Sequence, residues 1–220
     1  MTLLDVLFPP VCAGCHRLGT WLCERCQTHL TRLNPNWDLI QLLNLPAELQ
    51  HVWSAVEYRD VATDLVTQVK YQRNYCYTKC MAHIVDQQLG EQLMTQNFEA
   101  LVPIPLSPAR QRWRGFNQAE KFSREISKLL HIPTNTHLLF RQGKNISQVH
   151  KNQEQRLDFA SQFFMPENIQ LKGKKLCLVD DVITTGTTLK EASLVLQQAG
   201  AQTQCLTFGA SISGTIANDP

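Results

Sequence analysis

Two adjacent acids followed by four threonines around a glycine fall in one short stretch of this chain: Asp180 and Asp181, then Thr184, Thr185, Gly186, Thr187 and Thr188. Neighbouring carboxylates can accept hydrogen bonds from sugar hydroxyls or hold Mg²⁺. Threonine hydroxyls and successive backbone N–H groups at a helix N-terminus donate to a phosphate, and Gly186 lets the backbone turn and approach a ligand closely. The combination is that of a sugar-phosphate site. The plainer reading is that the acids end a strand and the threonines cap a helix. Either way the stretch must be held between two elements. The apolar run Leu176–Val179 fits a buried parallel strand, and Thr187–Ala199 has helical spacing with Leu189, Ala192, Val195, Leu196 and Ala199 on one face. The acids are expected in the turn between them.

A second chemical cluster lies near the start. Cys12, Cys15, Cys23 and Cys26 form two CxxC pairs with seven residues between them. Four thiolates suffice for a closed tetrahedral zinc site, which has no open position and is therefore structural rather than catalytic. Disulfides and an iron–sulfur cluster are the alternatives. His16, inside the loop, is read as a surface residue, and Cys76 and Cys80, four apart on a helix, as structural.

Composition sets bounds on the function. The chain has 220 residues, 43% of them hydrophobic, enough for one domain with a core and a small appendage. With 21 basic against 19 acidic residues the net charge is +2, so any surface for a polyanion must be local. No run approaches the roughly 20 apolar residues that span a bilayer, and MTLLDVLFPPVC does not read as a signal peptide. The expectation is a cytoplasmic protein with no membrane insertion.

The remaining elements follow from spacing. Residues 31–50 read as a connector with one short helix, and Val52–Tyr58 alternates as an outer strand. Ala62–Tyr71 reads as a helix that ends in Lys70, Tyr71, Gln72 and Arg73, whose cations can reach a pyrophosphate or simply close a helix. A second helix is expected over 76–93, a strand over Ala100–Ile104, and a helix capped by Asn117 with Ala119, Phe122, Ile126 and Leu129 inward. Between the last two, Arg110, Arg112 and Arg114 are expected in a loop that can clamp a polyanion, with Trp113 and Phe116 available to stack on bases. The plain alternative is a solvated basic loop. Thr136–Phe140 reads as a short edge strand, residues 141–158 as a long basic lid, Gln204–Phe208 as a returning strand and 213–220 as a frayed tail. The domain reading is 1–50 for the cysteine module and connector and 51–212 for the main domain.

The stretch VDDVITTGTT resembles the phosphoribosyl pyrophosphate (PRPP) motif of type I phosphoribosyltransferases. That resemblance implies that Asp180 and Asp181 bind ribose hydroxyls and that Thr184–Thr188 bind the 5′-phosphate. With VKYQRN, VPIPLSPARQRWRGFNQAE, Ser147–Gln148, Arg156 and the leading cysteines, the chain is similar along nearly its whole length to the ComF/GntX family of competence-associated proteins. It departs from the family where Arg-x-x-Asn is usual, having Arg156-Leu157-Asp158-Phe159. The resemblance implies a type I phosphoribosyltransferase-like α/β fold, a parallel sheet with helices on both faces, preceded by a zinc module. It also implies a role in DNA uptake, handling single-stranded DNA with other competence proteins as partners. The pocket would take PRPP or a related ribose phosphate with Mg²⁺, on Asp180, Asp181, Thr184–Thr188, Lys70, Arg112 and Arg114. Two other readings stand beside it: an active phosphoribosyltransferase acting on a nitrogen base, and a PRPP-sensing or docking module without chemistry.

Overall fold

A computed structural model describes residues 9–72, 74–142 and 162–212. Arg73, Ser147, Gln148, Arg156, the tail 213–220 and all but the first two residues of the expected lid lie outside that range. The cysteine segment carries one short helix, Glu24–Thr28 (α1), and the connector another, Leu39–Leu42 (α2), capped by the Asp38 carboxylate, which accepts from the Ile40 and Gln41 N–H groups. Then follow Val52–Glu57 (β1), Asp60–Tyr71 (α3), Tyr77–Thr95 (α4), Ala100–Pro103 (β2), Pro108–Arg114 (α5) and Gln118–Leu130 (α6). A two-residue pair, Phe140–Arg141 (β3) with Phe163–Phe164 (β4), precedes Lys175–Ile183 (β5), Thr187–Gln198 (α7) and Gln202–Ala210 (β6).

The main sheet is parallel throughout, in the order β1-β6-β5-β2. Its strands bury side chains on both faces, as parallel strands covered by crossover helices must. Leu176 and Leu178 of β5 enter one apolar cluster with Leu189 and Leu196 of α7, while Cys177 and Val179 enter the other with Val66, Leu89 and Phe122 of α3, α4 and α6. The fold class expected from the sequence, a parallel sheet with helices on both faces behind a four-cysteine module, is the one observed.

Several boundaries differ from the sequence reading. β1 is the outer strand expected, yet its first five residues are all buried rather than alternating. The connector explains this. Arg32 forms an antiparallel bridge with Val56, Leu33 N–H donates to Ala55 O at 3.0 Å, and Glu57 N–H donates to Thr31 O at 2.8 Å. On the opposite edge Leu101 N–H donates to Pro133 O, and Asn135 N–H donates to Leu101 O, both at 2.8 Å. The edge strand expected over 136–140 is displaced to Phe140–Arg141. The arginines expected in a loop lie on α5, whose Ser107 side chain accepts from Arg110 N–H and whose Pro108 occupies the first turn. Gly115, at φ +82°, ends that helix in the left-handed conformation.

The cysteine segment packs on the main domain. Ala13 is buried in the cluster of α3 and α4, Tyr77 OH donates to Val11 O at 2.7 Å, and Trp21 meets the Tyr77 ring edge-on at 5.2 Å. Among the described residues no helix is long and apolar enough to cross a membrane.

Candidate functional site

β5 is longer than the apolar run suggests and carries both acids inside the strand: Asp180 stays in register with Thr207 of β6, and the turn is confined to Thr184–Gly186. Both carboxylates therefore stand at the carboxyl edge of the sheet on rigid backbone. Asp181 is only 5% exposed, and its Oδ1 lies 3.0 Å from Lys70 Nζ, which projects from the last turn of α3. Asp181 N–H donates to Asp180 Oδ1 at 2.8 Å. Burial, then the charge of Asp181, pushes the Asp180 carboxyl up to about 7.

A cavity of about 530 Å³ opens above these acids, lined by Lys70, Asp180, Asp181, Thr184 and Thr188 on one side and by Arg110, Trp113 and Arg114 on another. The parallel pairing of β2 with β5 brings α5 to this edge, because Pro103 sits opposite Val179 and α5 begins five residues later. Asn117 fastens the far end: its side-chain amide donates to Ile104 O at 2.9 Å while its oxygen accepts from Ala119 N–H at 3.0 Å and caps α6. On a helix residues four apart share a face, so Arg110 and Arg114 line the cavity together and Arg112, two positions from each, is not among the lining residues.

Arg114 is 7% exposed and donates to Gln118. Desolvation pulls its guanidinium below the ordinary arginine range. Among the described residues its Nε and the Asp181 Oδ2 are buried with no hydrogen-bond partner. A buried donor or acceptor left unsatisfied costs about 1–3 kcal/mol. Arg141, the last residue of β3, adds a fourth cation to the wall, so Lys70, Arg110, Arg114 and Arg141 face two carboxylates. The excess is positive and suits an anion.

The loop after β5 leads directly into α7, whose cap residue Gly186 offers no side chain to the first-turn N–H groups. Those donors stand beside Thr184 and Thr188 on the cavity wall, an arrangement whose chemistry suits an anion. Thr185 and Thr187 hydroxyls lie 3.1 Å apart on the exposed side of the loop. Gly186, at φ +71°, is packed against the connector: a Cβ there would meet Pro46, Leu49 and Leu45 at 3.1–3.3 Å. Its freedom serves the turn and the packing beneath it. Sequence reasoning did not single out Tyr71, Gln118 or Arg141. The one available signal was Arg114-to-Gln118 spacing, which becomes visible only once α5 is read as a helix.

The four cysteines come together independently of the cavity. Their sulfurs all lie within 4.8 Å of one another, with Cys12–Cys23 at 3.7 Å and Cys15–Cys23 at 3.6 Å. A tetrahedral ion with metal–sulfur bonds of about 2.3 Å holds its sulfurs about 3.8 Å apart, so the cluster is positioned to hold a metal ion. Burial raises the Cys12 thiol, but the backbone N–H groups of Cys15, Cys23 and Gly14 outweigh it and bring Cys12 down to about 6. Cys26, buried beside the other thiols, is pushed up to about 12.

A parallel α/β sheet with paired acids and a threonine loop at its carboxyl edge, behind a tetracysteine knuckle, defines an α/β protein with a cationic cavity and a metal-ready appendage. The chain is 27% identical over 199 residues to competence protein F of Haemophilus influenzae, covering 88% of this chain and 81% of that protein. It is 24% identical over 202 residues to the DNA utilization protein YhgH of Escherichia coli K12, covering 89% and 88%. Competence protein ComFC of Streptococcus pneumoniae is 29% identical over 145 residues, 66% of this chain and 61% of that one. The resemblance read from the motifs thus extends over most of the chain. No family model matches. Among solved structures, a hypoxanthine phosphoribosyltransferase from Staphylococcus aureus aligns with 64% of this chain and 71% of its own at 16% identity and a TM-score of 0.35, too loose a superposition to argue from.

Proposed function

We propose that this chain acts in DNA uptake, handling incoming single-stranded DNA in the cytoplasm, and that its cavity binds PRPP or a related ribose phosphate. The observation that carries the pocket reading is the cationic cavity at the carboxyl edge of β5, where Asp181 is tied to Lys70 and Arg110, Arg114 and Arg141 share the wall. Ribose hydroxyls would take Asp180 and Asp181, and the 5′-phosphate would take the Thr184–Thr188 loop at the N-terminus of α7. The paired carboxylates of Asp180 and Asp181 on the cavity wall suit Mg²⁺, which would neutralise phosphate charge when bound. Zinc is the ion we assign to Cys12, Cys15, Cys23 and Cys26, because four thiolates at these separations fit a closed structural site. Participation in DNA uptake rests on similarity to competence protein F and to YhgH.

An active phosphoribosyltransferase is the second reading, favoured by Lys70, Arg110 and Arg114 on the cavity wall beside an exposed aromatic rim. A nitrogen nucleophile would attack C1 while the C1–O bond breaks and its electron pair leaves with pyrophosphate, whose charge these cations would hold.

Calorimetric titration of PRPP with Mg²⁺ tests the pocket. The wild-type chain should bind, and the Asp180→Asn, Asp181→Asn double variant should lose at least tenfold in affinity. Equal binding by both, or by neither, overturns the pocket reading. Release of pyrophosphate with a nucleobase would select the enzyme. Deleting the gene in the organism of origin should lower transformation by linear DNA at least tenfold, and unchanged transformation overturns the uptake reading.

A further inference from the structure

From the cavity wall outward the molecule carries a row of aromatic rings, three of them largely exposed. Tyr71, Tyr75 and Trp113 are 63%, 53% and 58% exposed, and rings of that size are normally buried. Two short segments supply them. Tyr71 meets Trp113 edge-on at 6.3 Å, and four residues further along Tyr75 meets Phe116 in the same way at 6.0 Å. The result is two aromatic rungs side by side. The first belongs to the cavity wall. The second leads into a separate cavity of about 380 Å³ on the outer side of α6, lined by Tyr75, Lys121, Arg124, Lys128 and Thr134 among others.

The charges along this path suit a polyanion. Lys121 Nζ stands 5.1 Å from the centre of the Tyr75 ring, a cation–π contact that sets a positive charge beside the rung. Arg124 and Lys128 follow on the same face of α6, held by Glu120 at 2.9 Å and Glu125 at 2.7 Å. Exposed pairs of this kind are worth about 0–1 kcal/mol, so a phosphate can exchange for either carboxylate at little cost. Flat rings interleaved with cations, continuous from a phosphate pocket to a second basic hollow, match a flexible strand whose bases are unpaired.

We infer that the surface from Tyr71 and Trp113 across Tyr75 and Phe116 to Lys121, Arg124 and Lys128 is a track for single-stranded DNA leading away from the cavity. Bases stack on the two rungs and backbone phosphates run along α6. The inference rests on the DNA-handling reading and adds to it the surface involved.

The test is fluorescence anisotropy with a labelled oligo-dT, in parallel with calorimetry of ribose 5-phosphate, which reports on the cavity alone. Tyr75→Ala should weaken the oligomer roughly tenfold or more, and Tyr75→Phe should restore it, because stacking needs the ring and not the hydroxyl. Lys121→Ala should lower the slope of log K against log salt by about 0.7, the value for one lost contact on a single strand. Ribose 5-phosphate should bind all three variants as it binds the wild type. Wild-type oligomer affinity in Tyr75→Ala, or equal affinity of the wild type for a duplex, overturns the track while leaving DNA handling intact. An oligomer that fails to bind the wild type overturns DNA handling itself.

Discussion

Asp180 and Asp181 are neighbours with unequal surroundings. Asp181 has a cation at 3.0 Å; Asp180 is held up to about 7 by burial and by its neighbour's charge. An ordinary aspartate titrates near 3.9, so between about pH 4 and 7 the folded protein binds more protons at Asp180 than the unfolded chain does. Stability contributed by this residue therefore falls as pH rises through that window. In Mg²⁺-free, ligand-free buffer, Asp180→Asn should be more stable than wild type by a margin that grows from pH 4 to pH 7 and then levels off. Urea titrations across that range measure it, and a margin independent of pH would contradict the assignment. The residue types of the site were legible in the sequence: acids, hydroxyls and glycine stand together in one stretch. Their placement was not, because aspartate is a poor strand former and nothing local shows that pairing with Thr207 carries β5 through both acids.

Elements decide which of those residues can cooperate. Placing Arg110, Arg112 and Arg114 in a loop made the three equivalent, although Ser107-Pro108 just before them is the start signal of a helix. On α5 the arginines divide by face, and Arg110 and Arg114 turn toward the acids. The connector illustrates the opposite case. Its leucines show no clear period, yet Leu33, Leu39, Leu45 and Leu49 are all buried in the cluster beneath α7. Tertiary partners far away in sequence supply that burial, so no window of local sequence shows it. Gly186 sits on this packing with a positive φ, and a methyl group would press on Pro46, Leu49 and Leu45. Gly186→Ala should cost about 1–2 kcal/mol from the left-handed backbone alone, read as a lowered urea midpoint with unchanged slope. A midpoint within error of wild type would show that the turn relaxes freely.

For the whole molecule, the tetracysteine segment is a brace as well as an appendage. Its Ala13, Trp21 and the Val11 carbonyl are built into the packing around Tyr77. Cys12→Ser should lose about one metal ion per chain by native mass spectrometry and should lower the melting temperature of the main transition. Unchanged metal content would remove the metal from the account. The spacing of the cysteines announced their cluster; their docking on α4 depends on contacts between residues as far apart in the chain as Val11 and Tyr77 and left no trace in the sequence. The same long-range logic governs the two borders of the sheet, where residues 31–33 lie along β1 and residues 133–135 along β2. A chain trimmed to begin near residue 50 would keep every residue of the cavity but bare the row of amides and carbonyls on β1, a ready template for self-pairing. Such a shortened protein should fail by aggregating, and the leading segment would then count as a guard of solubility for a cavity to whose wall it contributes no residue.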